Sequence, residues 1–238
     1  MALVHQLTLW SRIVYVIWRK LRLERDFTGR LAAGGRLCLR APPSKDVDIA
    51  EQIFGEGLLR PPRPLAETAR IVDAQAGCGF GVIYWLTQAP RAAVIAFEAH
   101  PDRVDAFVDN AELNAFWDQV LLHAKQASVA EGQGKLDSDE GFASLFKKGG
   151  ASRYRNVKAA DFFQMVGDAP ISLLRLHLID GEQPLLGDPR FSALKVEQLL
   201  VDGVTPEARG GLEQRLTQLG YRPLPDGANK GLLWATRE

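Results

Sequence analysis

The chain has 238 residues, 46% of them hydrophobic and 24% charged, which allows one sizeable core and is too ordinary for a disordered or fibrous protein. The formal net charge is zero, so no global field draws it to nucleic acid, and a nucleic-acid partner is excluded on this reading. Two cysteines, Cys38 and Cys78, stand far apart, one of them inside a glycine-rich turn that a disulfide would distort, which predicts a reducing cytoplasm.

The N-terminus lacks the basic head, apolar segment and small-residue cleavage site of an export signal, and no apolar run approaches the roughly 20 residues that span a bilayer. A chain neither exported nor membrane-spanning is expected. Leu7 to Leu23 places Leu9, Trp10, Ile13, Val14, Ile17, Trp18 and Leu21 at helical spacing among Arg12, Arg19, Lys20 and Arg22, which predicts an amphipathic helix. It has two readings: a peripheral membrane or partner-binding helix, since Trp beside Arg and Lys suits a headgroup interface, or a lid packed on the domain. Residues 1 to 40 carry eight basic side chains against Glu24 and Asp26 alone. Arg36 to Arg40 reads as a short strand. Ala41 to Asp46 reads as a turn, leading into a helix from Val47 to Phe54 that Ser44 or Asp46 caps. Pro61, Pro62 and Pro64 make Leu59 to Pro64 an extended linker, so residues 1–65 are expected to form an appendage to a main domain at 66–238.

From Arg70 the pattern alternates. Strands are expected at Ile71–Ala74, Ala93–Glu98, Val120–His123, Ile171–Leu178 and Val196–Val201, and helices at Gly79–Gln88, Pro101–Leu113 and Pro206–Leu219. Such alternation implies an α/β fold with a mostly parallel sheet covered on both faces. Tyr221–Pro225 and Gly231–Thr236 close the chain as an antiparallel hairpin. Glu131 to Ala151, rich in glycine, serine and charge, reads as a surface excursion.

The first strand ends in Asp73, the turn Gly77-Cys-Gly79-Phe-Gly81 follows, and the second strand ends in Glu98. Glycine lets backbone approach a ligand closely, and a carboxylate at the second strand's end can accept both hydroxyls of a ribose. The GxGxG spacing differs from the GxGxxG of dinucleotide binders, and a terminal hairpin after the last helix matches the sheet of S-adenosylmethionine (SAM) methyltransferases. The expected fold is therefore Rossmann-like, of the class I SAM methyltransferase type, with seven strands and the N-terminal amphipathic helix added. His5, His100, His123 and His177 lack metal-ligand spacing, and the five tryptophans are expected in the core.

From about Leu37 to Tyr221 the chain resembles the FkbM-type SAM-dependent methyltransferases. The resemblance rests on Ser44-Lys-Asp46 before a helix ending in Phe54, Ile71-Val-Asp73 with its turn, Val94 to Glu98 followed by His100-Pro101, Asn110 and Leu113-Asn114. It continues in Leu173-Leu-Arg175, Gly181-Glu182 and Leu186 to Phe191. It implies SAM as cofactor, bound by Asp73, Gln75, Ala76, Gly77, Gly79, Glu98 and Ala127, and O-methylation of a hydroxyl on a small molecule or glycan. The family turn reads Asp-x-Gly-Ala-Asn-x-Gly, whereas here Gln75 stands at the first glycine and Gly77 at the asparagine; if that position needs a positive φ, Gln75 is strained. The family's Leu-Leu-Lys-x-Asp-x-Glu-Gly-x-Glu becomes Leu173 to Glu182, with His177 and Ile179 in place of the acids.

Methyl transfer to a hydroxyl asks for alignment and a base, and His177, Asp180 and Glu182, at the carboxyl end of the fourth strand, are the catalytic candidates. The alternative is a catalytically degenerate methyltransferase fold that serves as a binding or scaffold subunit docked through its first helix.

Overall fold

The computed structural model describes residues 2–21, 23–42, 44–137, 154–177, 184–225 and 231–237. Two helices open the chain, α1 (Leu3–Gln6) and α2 (Leu9–Lys20), separated at Leu7, which bridges to Leu31. The single helix expected over Leu7–Leu23 is thus shorter. Its Tyr15 and Trp18 are buried against Phe27 of β1 (Phe27–Arg30), an antiparallel partner of β2 (Arg36–Leu39). β1 escapes a sequence reading because four residues with Gly29 among them carry little strand signal.

A helix follows as α3 (Asp46–Ala50) and continues through a π-helical turn at Glu51–Gly55. Neither expected cap operates: Asp46 accepts from Arg40, and the Ser44 hydroxyl donates to the Arg40 carbonyl, so both side chains close the preceding turn instead.

The central unit comprises β3 (Arg70–Asp73), α4 (Phe80–Gln88), β4 (Ala93–Phe97), α5 (Pro101–Asn114) and β5 (Val120–His123). A small sheet follows, made of β6 (Gln126–Ser128), β7 (Gly132–Asp137) and β8 (Tyr154–Asp161), in the order β6-β8-β7. The expected excursion at Glu131–Ala151 is therefore in part a strand: Gly132–Asp137 pairs antiparallel with β8, and residues 138–153 lie outside the described residues. Its glycines and charges signal a loop, and only the ladder to β8 overrides that preference.

The chain then runs through α6 (Phe162–Val166), β9 (Ile171–His177), α7 (Pro184–Gly187), a 3-10 turn at Pro189–Ala193, β10 (Val196–Asp202), α8 (Pro206–Gln218), β11 (Arg222–Pro223) and β12 (Leu232–Thr236). The seven-stranded sheet has the order β11-β12-β10-β9-β3-β4-β5; the five strands from β10 to β5 are parallel, and β12 enters antiparallel between β10 and β11. Ile71 and Leu173 face one apolar core, and Val72 and Leu174 the other, so the sheet is covered on both faces. That burial is why these strands read as continuous apolar runs.

The first core includes Leu3, Leu39 and Leu59 together with Ile71, Phe80 and Trp85, so the N-terminal segment and the sheet share one interior. The Trp85 indole N–H donates to the Leu59 carbonyl at 3.1 Å, fastening the proline-rich stretch to α4. The tryptophans divide: Trp85 and Trp18 are buried, whereas Trp10 and Trp117 are exposed, against the expectation for all five. Among the described residues no helix is long and apolar enough to cross a membrane.

Candidate functional site

Parallel strands deliver their carboxyl ends to one edge, and where β3 and β9 run side by side the chain order reverses, which is the position at which open α/β sheets bind ligands. Asp73 ends β3 and accepts from the Gln75 amide at 3.2 Å; the Ala76 amide donates to the Phe97 carbonyl at 2.8 Å, laying the glycine turn against the end of β4. Gly77 and Gly79 hold φ of +58° and +83°. Gln75 does not: among the described non-glycine residues only Ala115 has a positive φ. The strain expected at Gln75 is absent because the left-handed positions fall on the two glycines that remain.

A side chain at Gly79 would place its Cβ 3.0 Å from the Phe107 ring, whereas at Gly77 no heavy atom lies within 4 Å. Gly79→Ala is expected to cost about 2–3 kcal/mol, from left-handed strain plus displacement of a buried ring, and to lower the melting midpoint by roughly 5–10 °C. Gly77→Ala is expected to cost about 1 kcal/mol, from backbone strain alone. Equal midpoints for the two variants in calorimetry contradict the assignment of Phe107 as the difference.

Glu98 follows β4 and is 2% exposed. Its Oε2 accepts from the Gly77 amide and its Oε1 from the His100 amide, each at 2.8 Å. One carboxylate therefore holds the glycine turn and the start of α5 together, and each oxygen keeps a further lone pair.

On the other side of Asp73 lies a buried charge network. Sheet register pairs Asp73 with Arg175 and His177 with Asp202 across neighbouring strands. The Arg175 guanidinium donates through Nε to Asp202 Oδ2 at 2.7 Å, and through Nη1 to Asp73 Oδ2 at 3.3 Å and the Gln75 carbonyl at 3.2 Å. His177 Nδ1 is hydrogen-bonded to Asp202 Oδ1. Burial works against the ionised form of Asp202, but Arg175 and His177 outweigh it and hold the carboxyl down at about 2. For Asp73 burial prevails over its longer contacts to Arg175, and the neighbouring charge of Asp202 adds to the rise, so its pKa is raised. Burial also opposes the Arg175 charge, yet the two carboxylates keep its pKa above the ordinary value. An ionised Asp202 can only accept, so Nδ1 is the donor in this contact.

A brace from the N-terminal segment closes the opposite flank. Arg40 forms a two-point ion pair with Asp46 (Nη2 to Oδ1 2.9 Å, Nε to Oδ2 3.0 Å) and reaches Cys78 Sγ at 3.0 Å. Burial, with the Asp46 charge beside it, pushes the Cys78 thiol up to about 12, so it is an unreactive packing group. Asn110 and Asn114, one turn apart on α5, act as a surrogate strand for β2: their Oδ1 atoms accept from the Cys38 and Arg36 amides, and Asn110 Nδ2 also donates to the Cys78 carbonyl at 3.0 Å. Both cysteines are free thiols.

Of the residues expected at the site, Asp73, Gln75, Ala76, Gly77, Gly79, Glu98 and His177 gather along this edge, linked directly or through Arg175 and Asp202. Ala127 sits on β6, paired with Ala160. Asp180 and Glu182 lie outside the described residues. Arg175 and Asp202 were not among the expected site residues. The signal for Asp202 was its place at the end of the fifth strand, beside the fourth. Among the described residues no group of three or more His, Cys, Asp or Glu is arranged to hold a metal ion.

No protein-family model and no curated protein matches the sequence. Among solved structures, the chain is similar to the methyltransferase FkbM from Methylobacillus flagellatus KT, at 13% identity and a TM-score of 0.51 over 77% of this chain. The match spans 46% of that protein, so this chain corresponds to less than half of its length. It also aligns with a SAM-dependent O-methyltransferase from Thermotoga maritima, at 13% identity and a TM-score of 0.46, covering 88% of this chain and 77% of that one. With the sheet order β11-β12-β10-β9-β3-β4-β5 and its single antiparallel insertion, the chain has the Rossmann-like fold of the class I methyltransferases.

Proposed function

We propose that the chain is a SAM-dependent methyltransferase of the FkbM type that O-methylates a hydroxyl of a small molecule or glycan. The observation that carries this reading is the meeting, at one sheet edge, of a glycine turn, the Glu98 carboxylate and the His177–Asp202 pair. The turn suits the cofactor: at Gly77 the backbone faces space in which a Cβ would meet no heavy atom within 4 Å, so a ligand can lie against the peptide. Asp73, Gln75, Ala76, Gly77, Gly79 and Glu98 would hold SAM, with Glu98 accepting from the ribose hydroxyls and Ala127 lining the adenine side.

When bound, SAM supplies an electrophilic methyl group on a sulfonium. The chain's own task is to align the acceptor and remove its proton. Asp202 would orient the His177 ring through Nδ1, and Nε2 would take the proton from the acceptor hydroxyl. Asp180 and Glu182, which follow β9 in the sequence, are the alternative candidates for that base.

One observation favours a second reading, a degenerate fold acting as a binding subunit. Asp73 is already engaged by Arg175, and both Glu98 oxygens by backbone amides. Calorimetric titration with SAM decides between them. Micromolar binding supports the enzyme; no binding at millimolar SAM sinks it and leaves the scaffold.

A further inference from the structure

The outward face of α2 has no role in the cofactor site. Leu9, Trp10, Ile13, Val14, Ile17 and Leu21 fall on one stripe and are all exposed, with Leu9 at 73%, Trp10 at 74% and Leu21 at 65%. The expected amphipathic helix is present, but its packed side is the other one. Tyr15 and Trp18 stack on each other and meet Phe27 edge-on and tilted respectively, and the Trp18 indole N–H donates to the Arg25 carbonyl at 2.6 Å. Ser11 accepts from the Arg30 amide at 2.9 Å, which ties the helix to β1 a second time. The stripe is therefore held outward by a fixed underside and is not a helix waiting to fold down.

We propose that this stripe seats the protein on an anionic lipid surface, with α2 lying in the plane of the headgroups. Three features select that occupant. Large aliphatic residues with a Trp, on a convex helix, match the boundary between headgroups and acyl chains. The local charge is positive: between Leu9 and Leu31 the described residues carry Arg12, Arg19, Lys20, Arg25 and Arg30 against Glu24 and Asp26, and Asp48 and Glu51 lie on the Tyr15 side, beneath the helix. Anionic headgroups complement that surplus, whereas a second copy would bring like charge against like. Finally, the helix has 12 residues, about 18 Å, which suits lying on a bilayer and is too short to cross one.

The test is co-sedimentation of the full chain with phosphatidylcholine vesicles, with and without about a third of phosphatidylglycerol. Binding to the anionic vesicles is expected to exceed binding to the neutral ones by at least ~10-fold at low salt and to fall as salt rises. Trp10→Ala, and separately the pair Ile13→Ser and Ile17→Ser, are expected to weaken that binding at least ~10-fold, with no change in melting midpoint because the residues are exposed. Equal binding to both vesicle types, or full binding by these variants, overturns the proposal. A dimer in light scattering that the Ile13 and Ile17 pair dissolves also overturns it, and makes the occupant a second copy. SAM binding is unaffected in any of these outcomes, so failure here is distinct from failure of the cofactor reading.

Discussion

Asp202→Asn is expected to destabilise the protein by about 3 kcal/mol and to move the proton on His177 from Nδ1 to Nε2. The amide has one acceptor where the carboxylate has two. Its oxygen would go to Arg175, the stronger donor, leaving the NH2 facing His177 Nδ1, which then must accept. Arg175 would keep Asp73, at 3.3 Å, so the loss falls at the low end for breaking a buried ion pair. Imidazole nitrogen-15 shifts report the tautomer, and thermal melts report the stability. Unchanged shifts in the variant rule out the orienting role of Asp202.

The same carboxyl sets an acid limb. Its folded pKa, about 2, lies below the unbound value of 3.8, so its contribution is complete above pH 4 and disappears as the pH falls towards 2. The shift corresponds to about 2 kcal/mol, which Asp202→Asn removes. Asp73 acts in the opposite sense, since its raised pKa favours proton uptake by the folded state and offsets part of that loss in acid.

Glu98→Gln is expected to weaken SAM binding by about 10- to 100-fold, the value of hydrogen bonds to a charged acceptor, under the proposed ribose assignment. It also leaves the Gly77 or the His100 amide facing an NH2 group in a buried place, at about 1–3 kcal/mol of stability. Calorimetric titration and melting separate the two effects. Native affinity in a destabilised variant shows that Glu98 only builds the turn.

The strands β3, β4, β9 and β10 were legible because burial on both faces writes itself as apolar runs. β5 was legible as a short apolar run although it is an edge strand with Leu121 exposed, and Asp73 and Glu98 were legible as the acids that close two of these runs. The small strands were not. Gln126-Ala-Ser128 and Gly132 to Asp137 have no apolar pattern, and their pairing is decided by β8. The charge network was hidden for a different reason. Arg175 and Asp202 stand 27 residues apart, and Arg175 and Asp73 stand 102 apart, so sheet register alone makes them neighbours. Periodicity also located the apolar stripe of α2 without saying which side faces the protein; the Tyr15–Trp18–Phe27 cluster decides that.

The asparagine pair on α5 adds polar ties to the apolar interior that the N-terminal segment and the sheet already share. Asn110 holds the β2 backbone and the Cys78 carbonyl with one side chain, while Glu98 ties the glycine turn to the residue that precedes α5. The β2 segment and the glycine turn are therefore tied to the same helix. A load borne by α2 at a lipid surface would reach the turn through β2 and α5, and a chain shortened to the sheet alone would lose the wall against which that turn is shaped.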